Sequence, residues 1–303
     1  MMAVVLLMAA PAFADNGSQE GRGRAIVTVL PANSGQVPAN IPVQDVKVKV
    51  SGKATNVTSW TPLRGKESPV ELVIFIDSSA RMSLGLQMGE IRDFIQEMPS
   101  NAKMAVAYMM NGRAVMGSAL SSDPKVVLAG LHMPMGVPET SASPYFCLSD
   151  LARHWPSNIM AARREVVMIT DGVDYYEPRY DPEDPYVEAA IKDSVRSGLV
   201  VYSMYWKNKG WLDRTEYENN AGQNLLLEVT DATGGHSYWQ GFGNPVSFAP
   251  YFKDLRRRLD NQYELGFAAP LQGRPSVESM KLQVEAASAK VTAPREVFLR
   301  RAS

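Results

Sequence analysis

The chain has 303 residues, of which 45% are hydrophobic, enough for one large α/β domain with a real core plus a smaller appendage. Thirty-one Lys and Arg balance 32 Asp and Glu, and the formal net charge of -1 removes the electrostatic argument for nucleic acid or an anionic membrane as partner. With Cys147 as the one cysteine, an intrachain disulfide is excluded.

Residues 1–14, MMAVVLLMAAPAFA, form an apolar run that ends in the small-x-small pattern of a secretory signal peptide, although the usual leading positive charge is missing. A buried N-terminal strand or helix is the alternative. No later run reaches the roughly 18 apolar residues of a membrane span, so the expected location is secreted or periplasmic. Residues 15–24 are polar and Gly-rich. Strands are predicted at 25–30, at 46–50, where VKVKV alternates, and at 56–62.

From residue 70 the pattern changes to alternating strands and helices. The run 72–76 is continuously apolar and stops at Asp77, as expected for a strand buried on both faces. Leu84, Met88, Ile91, Ile95 and Met98 then keep one face of a helix apolar. Strands at 103–110 and 113–119 are joined by Asn111-Gly112, a strong hairpin signal, which predicts an antiparallel edge strand. Short helices follow at 124–131 and within 144–155, where Cys147 lies on the flank of an apolar stripe and reads as a buried, inert thiol. A strand at 165–170 ends in Thr170-Asp171-Gly172. A helix at 185–197, a strand at 199–206 and a helix at 219–233 come next, the last stopped by Gly234-Gly235. A short strand at 236–239 precedes a final amphipathic helix carrying Phe248, Tyr251, Phe252, Leu255 and Leu259. There Arg256, Arg257 and Arg258 read as a solvated face.

Two buried strands that each end in an aspartate followed by a turn residue can bring both carboxylates to one crevice, if the strands are neighbours. Oxygen-rich loops at that place suit a hard divalent cation. Here Asp77-x-Ser79 together with Thr170-Asp171-Gly172 resembles the metal-ion-dependent adhesion site of the von Willebrand factor A (VWA) family, whose pattern is D-x-S-x-S, a distal Thr, and a distal Asp in T-D-G. The resemblance covers about 70–261. The pieces ATGG at 232–235 and NQYELGF at 261–267 resemble a bacterial subgroup of secreted proteins with a variant A domain.

The resemblance implies metal ligands at Asp77, Ser79 and Asp171, with Mg or Mn as the ion. It departs at the second serine, where Arg81 stands. Two carboxylates about 4 Å apart repel by roughly 4 kcal/mol at an effective dielectric near 20. A guanidinium between them can serve as internal counter-ion, so the expectation is lost or weakened metal binding. The place of the distal threonine falls at Ser143, before Pro144, with Thr140 as the alternative; an N-cap role explains Ser143 equally well.

The stretch 174–186, DYYEPRYDPEDPY, follows Asp171 and must emerge on the crevice side. Asp174, Tyr175, Tyr176, Tyr180 and Tyr186 are read as a partner-binding loop, because tyrosine-rich loops favour protein recognition. An ordinary exposed insertion, or a Ca site from Asp181, Glu183 and Asp184, is the competing reading.

The predicted architecture is a three-layer, doubly wound, mostly parallel sheet with one antiparallel edge strand, plus a small β subdomain. The predicted division is signal peptide 1–14, N-terminal flanking strands 15–69, VWA-like domain 70–262 and C-terminal flanking strands 263–303. The functional expectation is a non-catalytic, secreted protein-binding module for adhesion or assembly, with a weakened or lost metal site and a protein ligand as partner. A scaffold or envelope protein with a vestigial crevice is the alternative. A phosphotransferase using Asp77 as nucleophile is a third, disfavoured because Ser79 occupies the place of its acid/base residue.

Overall fold

The computed structural model describes residues 19–33, 40–64, 69–80, 82–134, 136, 140–159, 161–177, 183–207, 215–271, 273–285 and 289–302. Residues 1–14, expected to form a signal peptide, and Arg81, Tyr180 and Asp181 lie outside them.

The chain opens with β1 (Gln19–Pro31), β2 (Val46–Val50) and β3 (Lys53–Pro62). It then runs through β4 (Val70–Asp77), α1 (Met88–Glu97), β5 (Ala102–Met110), β6 (Arg113–Met116), α2 (Pro124–Ala129), α3 (Pro144–Arg153), β7 (Arg163–Thr170) and α4 (Pro185–Ser197). After β8 (Leu199–Tyr205), α5 (Glu216–Thr233), β9 (His236–Tyr238) and α6 (Ala249–Leu259), it closes with β10 (Gln262–Leu271), β11 (Ser276–Val284), β12 (Ala289–Thr292) and β13 (Glu296–Arg301).

The flanking strands overturn the predicted architecture. They pair in the order β10-β3-β2-β11-β13-β1, and β1 pairs with β10 again, so six antiparallel strands close into a barrel, with β12 added on β1. The chain is therefore not built on a single, mostly parallel, three-layer doubly wound sheet with a small appendage. The physical reason is edge satisfaction: closing the ladder leaves no unpaired strand edge among the six. The barrel has its own core, in which Val27, Val29, Val48, Leu265, Phe267 and Leu299 are buried together.

The second sheet is mixed, in the order β6-β5-β4-β7-β8-β9. β4, β5, β7, β8 and β9 pair in parallel, and β6 is antiparallel to β5. The β5–β6 turn places Asn111 at φ 49° and Gly112 at φ 70°, a backbone that favours these two residue types. The apolar run of β4 is explained by burial from two sides. Leu72, Ile74 and Ile76 join Ile91 and Phe94 of α1 and Phe252 and Leu255 of α6. Val73 and Phe75 join Leu148 of α3, Ile191 of α4 and Leu226 of α5. On α6 the arginines part company: Arg258 is buried and its Nε donates to Asp254 Oδ2 at 2.6 Å, so it does not belong to a solvated face.

Barrel and mixed sheet meet at a buried polar junction. Arg163 Nη1 donates to the Leu259 carbonyl at 2.7 Å and to Gln262 Oε1 at 2.6 Å, and Gln262 Nε2 donates to the Tyr202 hydroxyl at 3.2 Å. Glu165 sits in this group with 0% exposure, and neither carboxylate oxygen makes a hydrogen bond of good geometry. Burial pushes its pKa up to about 7, against the attraction of Arg163 and the polar influence of Gln262 and Tyr202.

Candidate functional site

β4 and β7 run in parallel with Ile76 opposite Ile169, so their carboxyl ends finish side by side. Asp77 and Thr170 end neighbouring strands and Asp171 follows at once. The resulting crevice lies where open sheets of parallel strands place ligands. Asp77 and Asp171 are each only 2% exposed.

The two Asp77 oxygens are held by different elements. Oδ1 accepts the backbone N–H of Ser79 at 2.8 Å, within the 3-10 turn Ser78–Ala80, and Oδ2 accepts the Thr170 hydroxyl at 2.6 Å. Thr170 Oγ1 in turn accepts the Gly172 N–H at 3.1 Å, which fixes its proton toward Asp77. Burial raises the pKa of Asp77 above its ordinary value of 3.8, opposed by hydrogen bonds from Thr170, Ser79 and Ser141. Asp171 Oδ1 accepts the Val173 N–H at 3.1 Å.

The loop after Asp171 is pressed from behind by α5. Gly172 takes φ 69°, and a Cβ there would meet the Gly222 carbonyl oxygen at 2.5 Å. A Cβ on Gly222 would meet the Asp171 carbonyl oxygen at 2.2 Å. Two facing glycines thus allow a helix backbone to touch the loop that carries the second acid.

The third wall separates two serines that the sequence places two residues apart. Ser141 Oγ lies 3.3 Å from Ser79 Oγ, and the Ser141 N–H donates to Ser79 Oγ at 3.3 Å, so Ser141 is the hydroxyl that faces the first motif. Ser143 instead caps α3, accepting the Tyr145 N–H at 3.3 Å while donating to Asp174 Oδ2 at 3.0 Å. Between them Ala142 holds φ 64°, and the Ser143 N–H donates to the Ser141 carbonyl at 2.8 Å. A tight turn at positive φ on a non-glycine residue is strained, and strain of this kind gathers at functional sites. The turn is braced by the hairpin, since the N–H groups of Asn111 and Gly112 donate to the carbonyls of Thr140 and Ser141 at 2.7 and 2.9 Å. Cys147 is buried beneath, its thiol donating to the Ser141 carbonyl at 3.4 Å, and burial raises its pKa far above the reactive range.

Asp174 is fully buried, accepts the Tyr176 N–H at 2.8 Å on Oδ1, and has its pKa raised by burial. Beside it Tyr176, 62% exposed, and Tyr186, 39% exposed, close on Phe146, with ring centroids 5.1 and 4.7 Å from Phe146 and 6.2 Å from each other. Tyr175 is half-buried. Asp184 caps α4 by accepting the N–H groups of Tyr186 and Val187 at 2.8 and 3.3 Å. That role ties up one oxygen of the acid placed in a calcium set.

The structure therefore gathers Asp77, Ser79 and Asp171 at one place and groups Ser143 with Asp174 a step away, with Tyr176 and Tyr186 on the rim. Ser141 and Thr170 complete the site, and within the stretches 139–144 and 170–172 neither carries a sequence signal that separates it from its neighbours. As a cation site the crevice offers two carboxylates and the hydroxyls of Ser79 and Ser141. This is a hard, oxygen-only donor set of the type Mg takes, with carboxylate lone pairs beyond those already accepting hydrogen bonds. Among the described residues no group of three or more His, Cys, Asp or Glu side chains is placed to hold a metal ion.

No family model matches the chain. No curated protein matches it. Among solved structures it is similar to an aerotolerance-related membrane protein from Bacteroides fragilis, at 17% identity and TM-score 0.47, over 63% of this chain and 98% of that one. It is also similar to the pilus adhesin SpaC from Lactobacillus rhamnosus GG, at 10% identity and TM-score 0.47, over 90% of this chain and 49% of that one. A VWA domain, that of SpRpn10, is similar at 11% identity and TM-score 0.37, over 56% of this chain and 86% of that one.

Proposed function

We propose that the chain is a non-catalytic protein-binding module of the VWA type, exported from the cell for adhesion or assembly. Its partner is held at the rim of the Asp77 and Asp171 crevice, and its metal site is weakened or lost. The observation that carries this reading is the crevice itself: two buried acids at adjoining strand ends, a strained turn at Ala142, and an exposed aromatic pair, Tyr176 and Tyr186, on the same side. Aromatic side chains supply large contact area with few rotatable bonds, which suits a recognition rim. Export rests on the composition of residues 1–14 alone. An enzymatic reading has less support, because the Ser79 hydroxyl is engaged with Ser141 and is no acid/base group.

Capture of envelope proteins by the chain and by a Tyr176→Ala/Tyr186→Ala variant tests the rim. The variant is expected to keep its melting temperature and lose the captured partner; equal capture by both removes the rim from the reading. Thermal unfolding with millimolar Mg or Mn tests the metal. A rise of several degrees would show a working site and overturn the weakened one, since a bound ion stabilises by mass action.

A further inference from the structure

At the opposite edge of the mixed sheet, where β8 begins and the barrel packs on α4, lies a cavity of about 310 Å³. Arg22, Arg24, Arg196, Arg300 and Arg301 line it, with Glu296 as the one acid. The whole chain is electrically balanced, so this is a local concentration of charge rather than general basicity.

The backbone forces the concentration. β1 and β13 pair with Arg22 directly opposite Arg300, and like charges in that relation destabilise a ladder. Arg24 is compensated by Glu264, to which its Nε donates at 2.5 Å, and Arg196 lies 3.6 Å from Asp193. Among the described residues, neither Arg22 nor Arg300 has a carboxylate within ion-pair distance. Arg300 is nonetheless held: its Nη2 donates to the Arg196 carbonyl at 3.5 Å, and its guanidinium stands 5.6 Å from the Phe298 ring centroid. The charge reaches inward. Arg164, which donates to the Ser157 and Ser197 carbonyls, has its pKa lowered by burial, and Arg24 and Arg300 add to this against the pull of Glu71. The carboxyl end of α4 offsets part of this charge, but a helix terminus amounts to about half an elementary charge.

We propose that this cleft binds a phosphate ester, a site separate from the partner-binding crevice. The volume lies at the lower end of small-molecule pockets, about 300–1,000 Å³. A phosphate monoester carries roughly -1.5 to -2 charge at neutral pH, which suits the facing guanidinium groups of Arg22 and Arg300, with Arg301 beside them also outside any ion pair among the described residues, where a single carboxylate would leave most of that charge unmatched. Guanidinium groups meet phosphate oxygens with paired donors. Leu199 and Val297, both buried, give the cleft an apolar floor for the ester's carbon portion.

The test is calorimetric titration of the full chain with glycerol 3-phosphate at fixed ionic strength, with glycerol as control. A parallel co-sedimentation uses phosphatidylcholine vesicles with and without phosphatidic acid. The wild type is expected to bind at least one phosphate probe. Binding of the soluble ester alone assigns the site to a metabolite, and binding only of phosphatidic acid vesicles assigns it to a lipid headgroup. Arg22→Ser and Arg300→Ser should each weaken binding about tenfold, the loss of one charge-assisted contact, and the double variant should abolish it. Because each single change also relieves the cross-strand repulsion, the ligand-free variants should melt no lower than the wild type, which separates lost binding from lost folding. No binding of either probe by the wild type, or equal binding by the double variant, overturns the proposal.

Discussion

Replacing Glu165 by Gln removes a buried charge while keeping the side chain's shape, and its effect can be worked from the junction geometry. The unfolded carboxyl titrates at its ordinary value of 4.5, and burial raises it to about 7 in the folded chain. The folded state therefore holds the proton more tightly. The stability this lends is fully present below pH 4.5 and is lost as pH rises through about 7. At 1.36 kcal/mol per pKa unit the whole loss is about 3 kcal/mol, most of it falling between about pH 5 and pH 8. Urea unfolding of both proteins across that range is the assay. The wild type should lose stability relative to Glu165→Gln as pH rises, and the variant should be the more stable of the two at the alkaline end. Parallel stability curves would show that Glu165 is charged and adequately paired with Arg163 at neutral pH, and the junction would need another description.

Two further changes probe the crevice. Thr170→Val removes the hydroxyl donor to Asp77 Oδ2 and the acceptor of the Gly172 N–H, and should cost about 2–4 kcal/mol in urea unfolding at neutral pH. The deficit should shrink in acid, where protonation of Asp77 leaves less charge to stabilise; a deficit independent of pH would mean that Asp77 is already neutral. Gly222→Ala places a methyl group against the Asp171 carbonyl and should cost about 1–3 kcal/mol by overpacking, read as a lower urea midpoint at constant slope. A neutral result would show that α5 can withdraw from the Asp171 loop.

Local features were far more legible in the sequence than long-range ones. Asp77 and Asp171 stand out because strands buried on both faces read as unbroken apolar runs, and a carboxylate ending such a run is conspicuous. The Asn111-Gly112 turn is legible because positive φ at both positions selects those residues. Barrel closure is not legible. The alternation in VKVKV says that one face is buried but not against which strand, and β1 finds β10 more than two hundred residues away. The serines were misleading for a similar reason. Ser143 carries the plain signal of a cap before proline, whereas Ser141 reaches Ser79 only through the positive φ of Ala142, a conformation that no residue type at that position announces. Arg163, Arg164 and Glu165 open a strand whose following residues 166–169 are apolar, and the burial of Arg163 and Glu165 depends on Gln262 and Tyr202 arriving from elsewhere.

The closed barrel also sets an order on biosynthesis. Every strand of the mixed sheet lies between Val70 and Tyr238, so that sheet can assemble while the later strands are still inside the ribosome. β1 has no such freedom, because its ladder partners β10, β12 and β13 are all translated after the mixed sheet. The nascent β1 must therefore wait, exposed, through the synthesis of the whole mixed sheet, and that interval is when a chaperone would be needed most.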